Sequence, residues 1–377
     1  MTILYATGWN AQDISAWSGS VYYMAAALKK QHVELIYADK LKHEPSLMSK
    51  IRNSYHLHLI HREIQIDHES SVLKNHAQEI LSKLTPHTDV VFSPSSIHFA
   101  YLKTDKLKVF YTDAVFGSML NYNTSFNNLS AYAIRQGNKI EQRALDNCDL
   151  AIYASDWAAQ SAIELYNVDP CKVKVVPLGA NITISLSMAD IEQLLSHRSQ
   201  NVCNLLFIGV DWAGKGGDIA VRVANRLHEK GIPVHLDIVG ITQELILPSY
   251  AQNHGFISKS TEEGAAKLNA LISGAHFFIL PTRTEAYGLV FAEASAFGVP
   301  SLGTKTGGVT TVIKDNVNGM TFDMSADPEE YVEYIARYFN DPAAYRQLAL
   351  SAYNDSVTRL NWDVAGRRIV ELIKERL

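Results

Sequence analysis

The stretch HFFILPTRTEAYGLVFAEASAFGVP, residues 276–300, decides the fold. His276–Leu280 is an apolar run of strand length, stopped by Pro281. The pattern then predicts a helix from near Gly288 to Gly298, with Pro300 just beyond its glycine stop. Strand, turn and helix in that order are the unit of a parallel α/β sheet, which binds ligands beyond the carboxyl ends of its strands. The helix contains an anomaly. Leu289 to Phe297 is apolar on nearly every side, which predicts burial, yet Glu293 sits in the middle. A buried carboxylate costs several kcal/mol unless it is hydrogen-bonded. A pair of ligand hydroxyls or a buried Arg would answer it. The helix start, beside the flexible Gly288, gathers free N–H groups and the positive dipole end, which favour a phosphate.

The same unit recurs upstream in FIGVDWAGKGGD, residues 207–218. A strand at Leu205–Gly209 runs into a Gly-rich turn, with a helix beginning past Gly217, near Asp218. Lys215 stands where a flexible ammonium meets a phosphate. The order of a Walker A loop is absent. Further strands are read at Ile3–Ala6, Val33–Tyr37, Asp89–Phe92, Lys108–Tyr111, Leu150–Tyr153, Val173–Val176 and His235–Val239. Helices are read at Val21–Leu28 and Pro342–Leu360, and from Asn361 to Leu377. The alternation occurs on both sides of Pro177–Ala180, which predicts two doubly wound domains with a hinge near residue 180.

Composition sets the outer limits. A chain of 377 residues suggests two or three domains, and 47% hydrophobic with 19% charged residues is globular. The net charge of −5 offers no basic excess for nucleic acid. Residues 1–180 are electrically balanced and hold nine of the fourteen His, so residues 181–377 carry the whole net charge. That asymmetry suits a first half that approaches an anionic surface. Cys148, Cys171 and Cys203 are too scattered for a disulfide framework or zinc knuckle and fit a reducing compartment. No signal peptide or transmembrane run is read. The expectation is a cytoplasmic protein, with peripheral contact at the inner face of a membrane left open.

Glu285 and Glu293, with seven residues between them, follow a Pro at a strand end. With Gly209…Lys215-Gly216-Gly217, His254-Gly255-Phe256-Ile257, Thr306-Gly307-Gly308 and Asn318-Gly319, the order resembles the retaining GT-B glycosyltransferases of glycosyltransferase family 4. Asn361-Trp362-Asp363 is similar to the start of that family's crossover helix. The N-terminal half is similar more loosely, through residues 149–155 and 174–180.

The resemblance implies an α/β GT-B fold, two Rossmann-like domains facing a cleft. Residues 1–180 would form the acceptor side, 181–355 the nucleotide-sugar donor domain, and 356–377 a helix crossing back. Glu293 would accept from ribose hydroxyls, and Glu285 would lie beside the donor sugar. The backbone of Ala286, Tyr287, Gly288 and Leu289 would meet sugar hydroxyls and diphosphate. Lys215, with Gly209 and Gly216 around it, would neutralise the leaving diphosphate. Phe256 and Ile257 would hold the base. No cofactor or metal is implied, and no D-x-D dyad stands in an obvious loop. The acceptor would be a glycan or a lipid-linked molecule. A GT-B epimerase, or a non-catalytic binder of nucleotide-sugars, remains the alternative.

Three positions depart from the family pattern. Val210-Asp211-Trp212 replaces an Arg after Gly209, for which Arg283 is a candidate substitute. Thr311 replaces a Glu after the Gly-Gly turn. Asp113, after the strand at Lys108–Tyr111, takes the place of a His near the reacting sugar carbon. A carboxylate there would stabilise a cationic sugar or position the acceptor hydroxyl, or simply cap a turn. The first loop, with Gly8, Trp9, Asp13, Trp17, Ser18 and Gly19, resembles the family's phosphate and acceptor loop, with a hydrophobic plug under the sheet as the other reading. Read as a strand, Tyr55–Arg62 would put His56 and His58 on one face and His61 opposite, wrong for three metal ligands. His61-Arg62 would then be free to touch an acceptor or a lipid phosphate.

Overall fold

The computed structural model describes residues 1–182 and 184–377. The chain divides into two compact units, Met1–Pro177 with Trp362–Leu377, and Leu178–Asn361.

The first unit holds a six-stranded sheet of β1 (Thr2–Ala6), β2 (Glu34–Ala38), β3 (Val90–Ser93), β4 (Leu107–Thr112), β5 (Leu150–Tyr153) and β6 (Val173–Val175). All pairings are parallel, in the order β2-β1-β3-β4-β5-β6. Parallel strands covered by helices on both faces are apolar throughout. Accordingly β1, β3 and β5 are buried along their whole length. The strand order reverses between β1 and β3, where Leu4 faces Val91 and Tyr5 faces Phe92. This is the unit's topological switch point.

The second unit repeats the plan with β7 (Cys203–Ile208), β8 (Val234–Val239), β9 (Ala251–Asn253), β10 (Phe277–Leu280), β11 (Ser301–Thr304) and β12 (Gly319–Phe322). Its order is β12-β11-β10-β7-β8-β9, again all parallel. The switch point lies between β7 and β10. The two Gly-rich stretches singled out in the sequence are the loops that leave these two strands.

The last helix, Trp362–Lys374, belongs to the first unit, so the chain crosses back as the family resemblance implied. Ala365, Ile369, Val370 and Ile373 bury its apolar side. It lies against Ser20–Lys30 so closely that a Cβ on Gly366 would come within 2.7 Å of the Ala27 carbonyl oxygen. Trp362 stacks on Tyr23, and Lys30 pairs with Asp363 at 2.8 Å.

Two readings need correction. β9, β11 and β12 are strands that the sequence pattern does not predict. They are three or four residues long and all three are polar or glycine-bearing, so only pairing with β8, β10 and β11 extends them. Tyr55–Arg62 is not a strand: a helix at Leu47–Tyr55 runs into a widened helical turn at His56–Ile60, closed by left-handed His61.

Candidate active site

The site in the second unit grows from backbone contacts between the loops after β7 and β10. The Gly214 carbonyl accepts from Arg283 N–H at 2.8 Å and from the Thr282 hydroxyl at 3.2 Å. Gly216 has φ +73°, and a Cβ there would fall 2.0 Å from the Pro281 carbonyl oxygen. Only glycine allows that approach. Gly209 clears a path for Lys215, whose Cγ lies 3.0 Å from where a Gly209 Cβ would be. The Lys215 ammonium is thereby delivered to the β10 loop. It donates to Glu285 Oε2 at 2.7 Å and to the Thr284 carbonyl at 3.3 Å.

Glu285 is also fixed through its backbone, its carbonyl accepting from Gly308 N–H at 3.2 Å. This ties in the Thr306-Gly307-Gly308 turn. Gly288, at φ +92°, turns the chain into the helix Leu289–Ala296. First-turn N–H groups of a helix have no acceptor of the usual kind within it, so the helix start at Gly288 and Leu289, just after Ala286 and Tyr287, presents donors at the switch point. The Tyr287 ring is elsewhere: it is buried, and its hydroxyl donates to Leu178 O at 2.8 Å. Only the backbone of Tyr287 is therefore available to a ligand.

Glu293 is 2% exposed, as its apolar helix predicted. Its partner is neither of those considered from the sequence. Lys259 donates to both carboxylate oxygens. Lys259 lies two residues after Ile257, and its own side chain is partly exposed. Nothing in the periodicity marked it; the one available signal was a cation just past the Phe256-Ile257 segment. That segment is anchored by Gly240, whose N–H donates to Gly255 O at 2.8 Å. Gly240 packs in turn on Gly209, where an added Cβ would meet the carbonyl oxygen at 2.5 Å. Phe256 itself is exposed.

Arg283, the candidate substitute for the missing Arg, has a partner of its own in this structure. Its guanidinium fork is spent on Asp218, with two bonds of 2.9 Å, and it also reaches Ala213 O. The fork holds the Asp218 carboxyl below its ordinary range and pins the first turn of the helix Gly217–Glu229. Val210, at the family's Arg position, is exposed.

The structure therefore brings Gly209, Lys215, Gly216 and Glu285 to Leu289 together, and links Phe256, Ile257 and Glu293 to them through Gly240 and Lys259. Gly8, Ser18, Gly19 and Asp113 lie in the first unit. Gly8 leaves β1 at the switch point. Trp17, Ser18 and Gly19 are three consecutive left-handed residues, with φ of +46°, +55° and +94°. For a bulky Trp that conformation is strained. Trp17 is only half-buried and stacks on exposed Trp9 with ring centres 6.2 Å apart, so neither ring plugs the sheet from beneath. Asp113 follows the carboxyl end of β4. Among the described residues no group of three His, Cys, Asp or Glu is placed to hold a metal.

Residues 197–355 match the model of the family described as glycosyl transferases group 1. The matched segment lies within the second unit. The chain is similar to D-inositol 3-phosphate glycosyltransferase of Thermomonospora curvata, 26% identical over 253 residues. That alignment covers 62% of this chain and 58% of the relative, so the chain matches a little over half of that protein's length. Among solved structures, sucrose-phosphate synthase from Thermosynechococcus elongatus superposes with a TM-score of 0.69 at 15% identity, covering 100% and 98% of the two chains. Anabaena Alr3699/HepE in complex with UDP-glucose gives 0.63 at 14% identity, with 100% of each covered. These likenesses show a GT-B fold. Among the described residues no helix is long and apolar enough to cross a membrane.

Proposed function

We propose that the protein is a glycosyltransferase that moves a sugar from a nucleoside-diphosphate sugar to an acceptor hydroxyl, with retention of configuration and without a metal. The observation that carries this reading is the Lys215–Glu285 pair, at 2.7 Å between the two loops of the second unit's switch point. A cation and a carboxylate held there, beside a helix start, match the two needs of a sugar diphosphate. The similar structure with UDP-glucose and the matching family support the same reading.

As the bond from the anomeric carbon to the diphosphate oxygen breaks, positive charge grows on the sugar and negative charge on the diphosphate. Lys215 and the N–H groups of Ala286 to Leu289 stabilise the leaving diphosphate from fixed positions. A bound diphosphate draws Lys215 away from Glu285, and the released carboxylate accepts from sugar hydroxyls. Glu293 takes the ribose hydroxyls, sharing its oxygens with Lys259, and Phe256 and Ile257 hold the base. Asp113 stabilises the cationic sugar or positions the acceptor hydroxyl; Gly8, Ser18 and Gly19 serve the phosphate and acceptor loop. The acceptor is a glycan or a lipid-linked molecule, in polysaccharide, lipopolysaccharide or other glycan synthesis. The setting is the cytoplasm, with peripheral contact at the inner face of a membrane. Residues 1–180, 181–355 and 356–377 act as acceptor domain, donor domain and crossover helix, hinged at Pro177–Ala180.

The test is calorimetric titration of UDP, GDP, ADP and their sugar conjugates into the wild type and Glu293→Ala. One diphosphate should bind selectively and bind at least tenfold more weakly to the variant, in line with the worth of hydrogen bonds to a charged group. A folded wild type that binds none of them would overturn the reading.

A further inference from the structure

The helix Leu47–Tyr55 is built inside out. Its polar side faces the protein. Ser49 is buried and donates to Glu69 Oε2 at 2.7 Å. Arg52 donates to the same oxygen at 2.8 Å and to the Tyr132 hydroxyl at 2.6 Å, and its guanidinium lies over the Tyr132 ring. Tyr132 closes the network by donating to Glu69 Oε1 at 2.9 Å. Glu69 is itself 3% exposed, so the anchor is firm. The apolar side faces outward. Leu47 is 73% exposed and Met48 65%, with Ile51 and Tyr55 about half exposed on the next two turns. The turn that follows adds Leu57, Leu59 and Ile60, with Leu59 at 72%. Of the twenty exposed large apolar side chains among the described residues, seven lie in these fourteen positions.

Scattered apolar groups on a surface need no explanation, but a contiguous set does. Charge decides what covers it. From Pro45 to Arg62 there is no Asp or Glu; carboxylates return only at Glu44 and Glu63. Lys50, His58, His61 and Arg62 are all exposed. An apolar face rimmed by cations and free of carboxylates is the pattern of a helix lying in a lipid headgroup layer, its apolar side chains in the acyl boundary and its cations among anionic headgroups. An anionic bilayer repels carboxylates and attracts cations along the whole length of the face, which is the charge balance seen here.

We infer that residues 47–62 form a monotopic docking face for an anionic lipid bilayer. The inference rests on the peripheral contact included in the proposed function and not on sugar transfer. It also assigns the His61-Arg62 pair a lipid phosphate, reached from a helical turn and not from the strand expected in the sequence.

The experiment is flotation of the full chain with vesicles of phosphatidylglycerol and phosphatidylethanolamine, compared with phosphatidylcholine alone. The wild type should float with the anionic vesicles, less so at high salt. Leu47→Ser/Ile51→Ser/Leu59→Ser should lose binding by at least tenfold. Lys50→Glu/Arg62→Glu should lose the preference for anionic lipid. Thermal unfolding followed by circular dichroism reports that each variant is folded, and nucleotide titration reports that the donor site, to which none of these residues belongs, is intact. A wild type that binds nucleotide yet stays with no vesicle would overturn the docking face and leave the transferase intact. Equal flotation by the triple variant would overturn it too. So would a concentration-dependent dimer of the wild type, abolished by the triple variant, with no vesicle binding, which would assign the face to a second copy of the chain.

Discussion

The two switch points share one strand plan and differ in how they handle charge. Between β7 and β10, ionised side chains stand in pairs: Lys215 with Glu285, Arg283 with Asp218, and Lys259 with Glu293 nearby. The unit containing β1 and β3 has pairs of its own, Arg52 with Glu69 and Lys108 with Asp149, but around them it buries several titratable groups whose charged form burial disfavours. Burial pushes His68 and His76 down to about 4 and His98 to about 3, and raises Glu141 to about 7. His76 packs on His98 with ring centres 5.1 Å apart. The loop after β1 offers stacked Trp rings and left-handed backbone where the other unit offers fixed charges. The contrast is physical. A site for an anion keeps its charges alive by pairing them near solvent, whereas a core that only needs volume keeps its imidazoles neutral, since an unpaired buried charge is costly.

The sharpest way to break this contrast is to ask the first unit for chemistry. Asp113→Ala should slow transfer on the order of 10²- to 10⁴-fold, while diphosphate affinity in calorimetry stays at the wild-type value. An unchanged transfer rate would reduce Asp113 to a turn cap and leave the first unit with no assigned reactive group.

A somewhat smaller effect is expected in the second unit. Lys215→Ala should raise the barrier by about 3–4 kcal/mol, as for loss of one preorganised charge-stabilising group. Steady-state rates at saturating donor measure it. Weaker donor binding with an unchanged saturated rate would make the Lys215–Glu285 pair a binding device only.

The smallest effect concerns acid. Below about pH 6.5 an unfolded His takes up a proton that folded His98 refuses until about pH 3. His98 therefore lowers stability as pH falls through that window, by about 2 kcal/mol at pH 5. Glu141 works in the opposite direction: its proton is held more tightly in the folded state, a contribution complete below about 4.5 and lost as pH rises through about 7. His98→Phe should flatten the loss of stability between pH 7 and pH 5 in urea titrations followed by circular dichroism. A pH dependence identical to the wild type would mean that His98 is ionised in place.

Much of the second unit was legible in the chain. The apolar runs of β7, β8 and β10, the glycines that end them, and the Glu inside an apolar helix all carry local signals. The strands at Ser301–Thr304 and Gly319–Phe322 did not, because neither run is long enough to stand apart from a loop. Register with β10 and β11 makes them strands, Leu302 opposite Ile279 and Met320 opposite Leu302. Lys259 was silent for a related reason: a lone cation on a loop looks solvated until folding brings a buried carboxylate to it. The helix at Leu47–Tyr55 escaped because pattern reading assumes that apolar residues face inward, and here they face out.

By itself the sequence determined that the chain makes two parallel α/β sheets, that their Gly-rich loops gather at strand ends, and that Glu293 would be buried. Those are consequences of local periodicity and of backbone conformations that only glycine reaches easily. The tertiary structure alone decided which charge meets which. Lys215 and Arg283 could both have met solvent; the close approach of Gly216 to Pro281 and the position of the Asp218 carboxylate gave each of them a partner. Pairings of this kind depend on distances between residues tens of positions apart, which the strand order sets and no local pattern records.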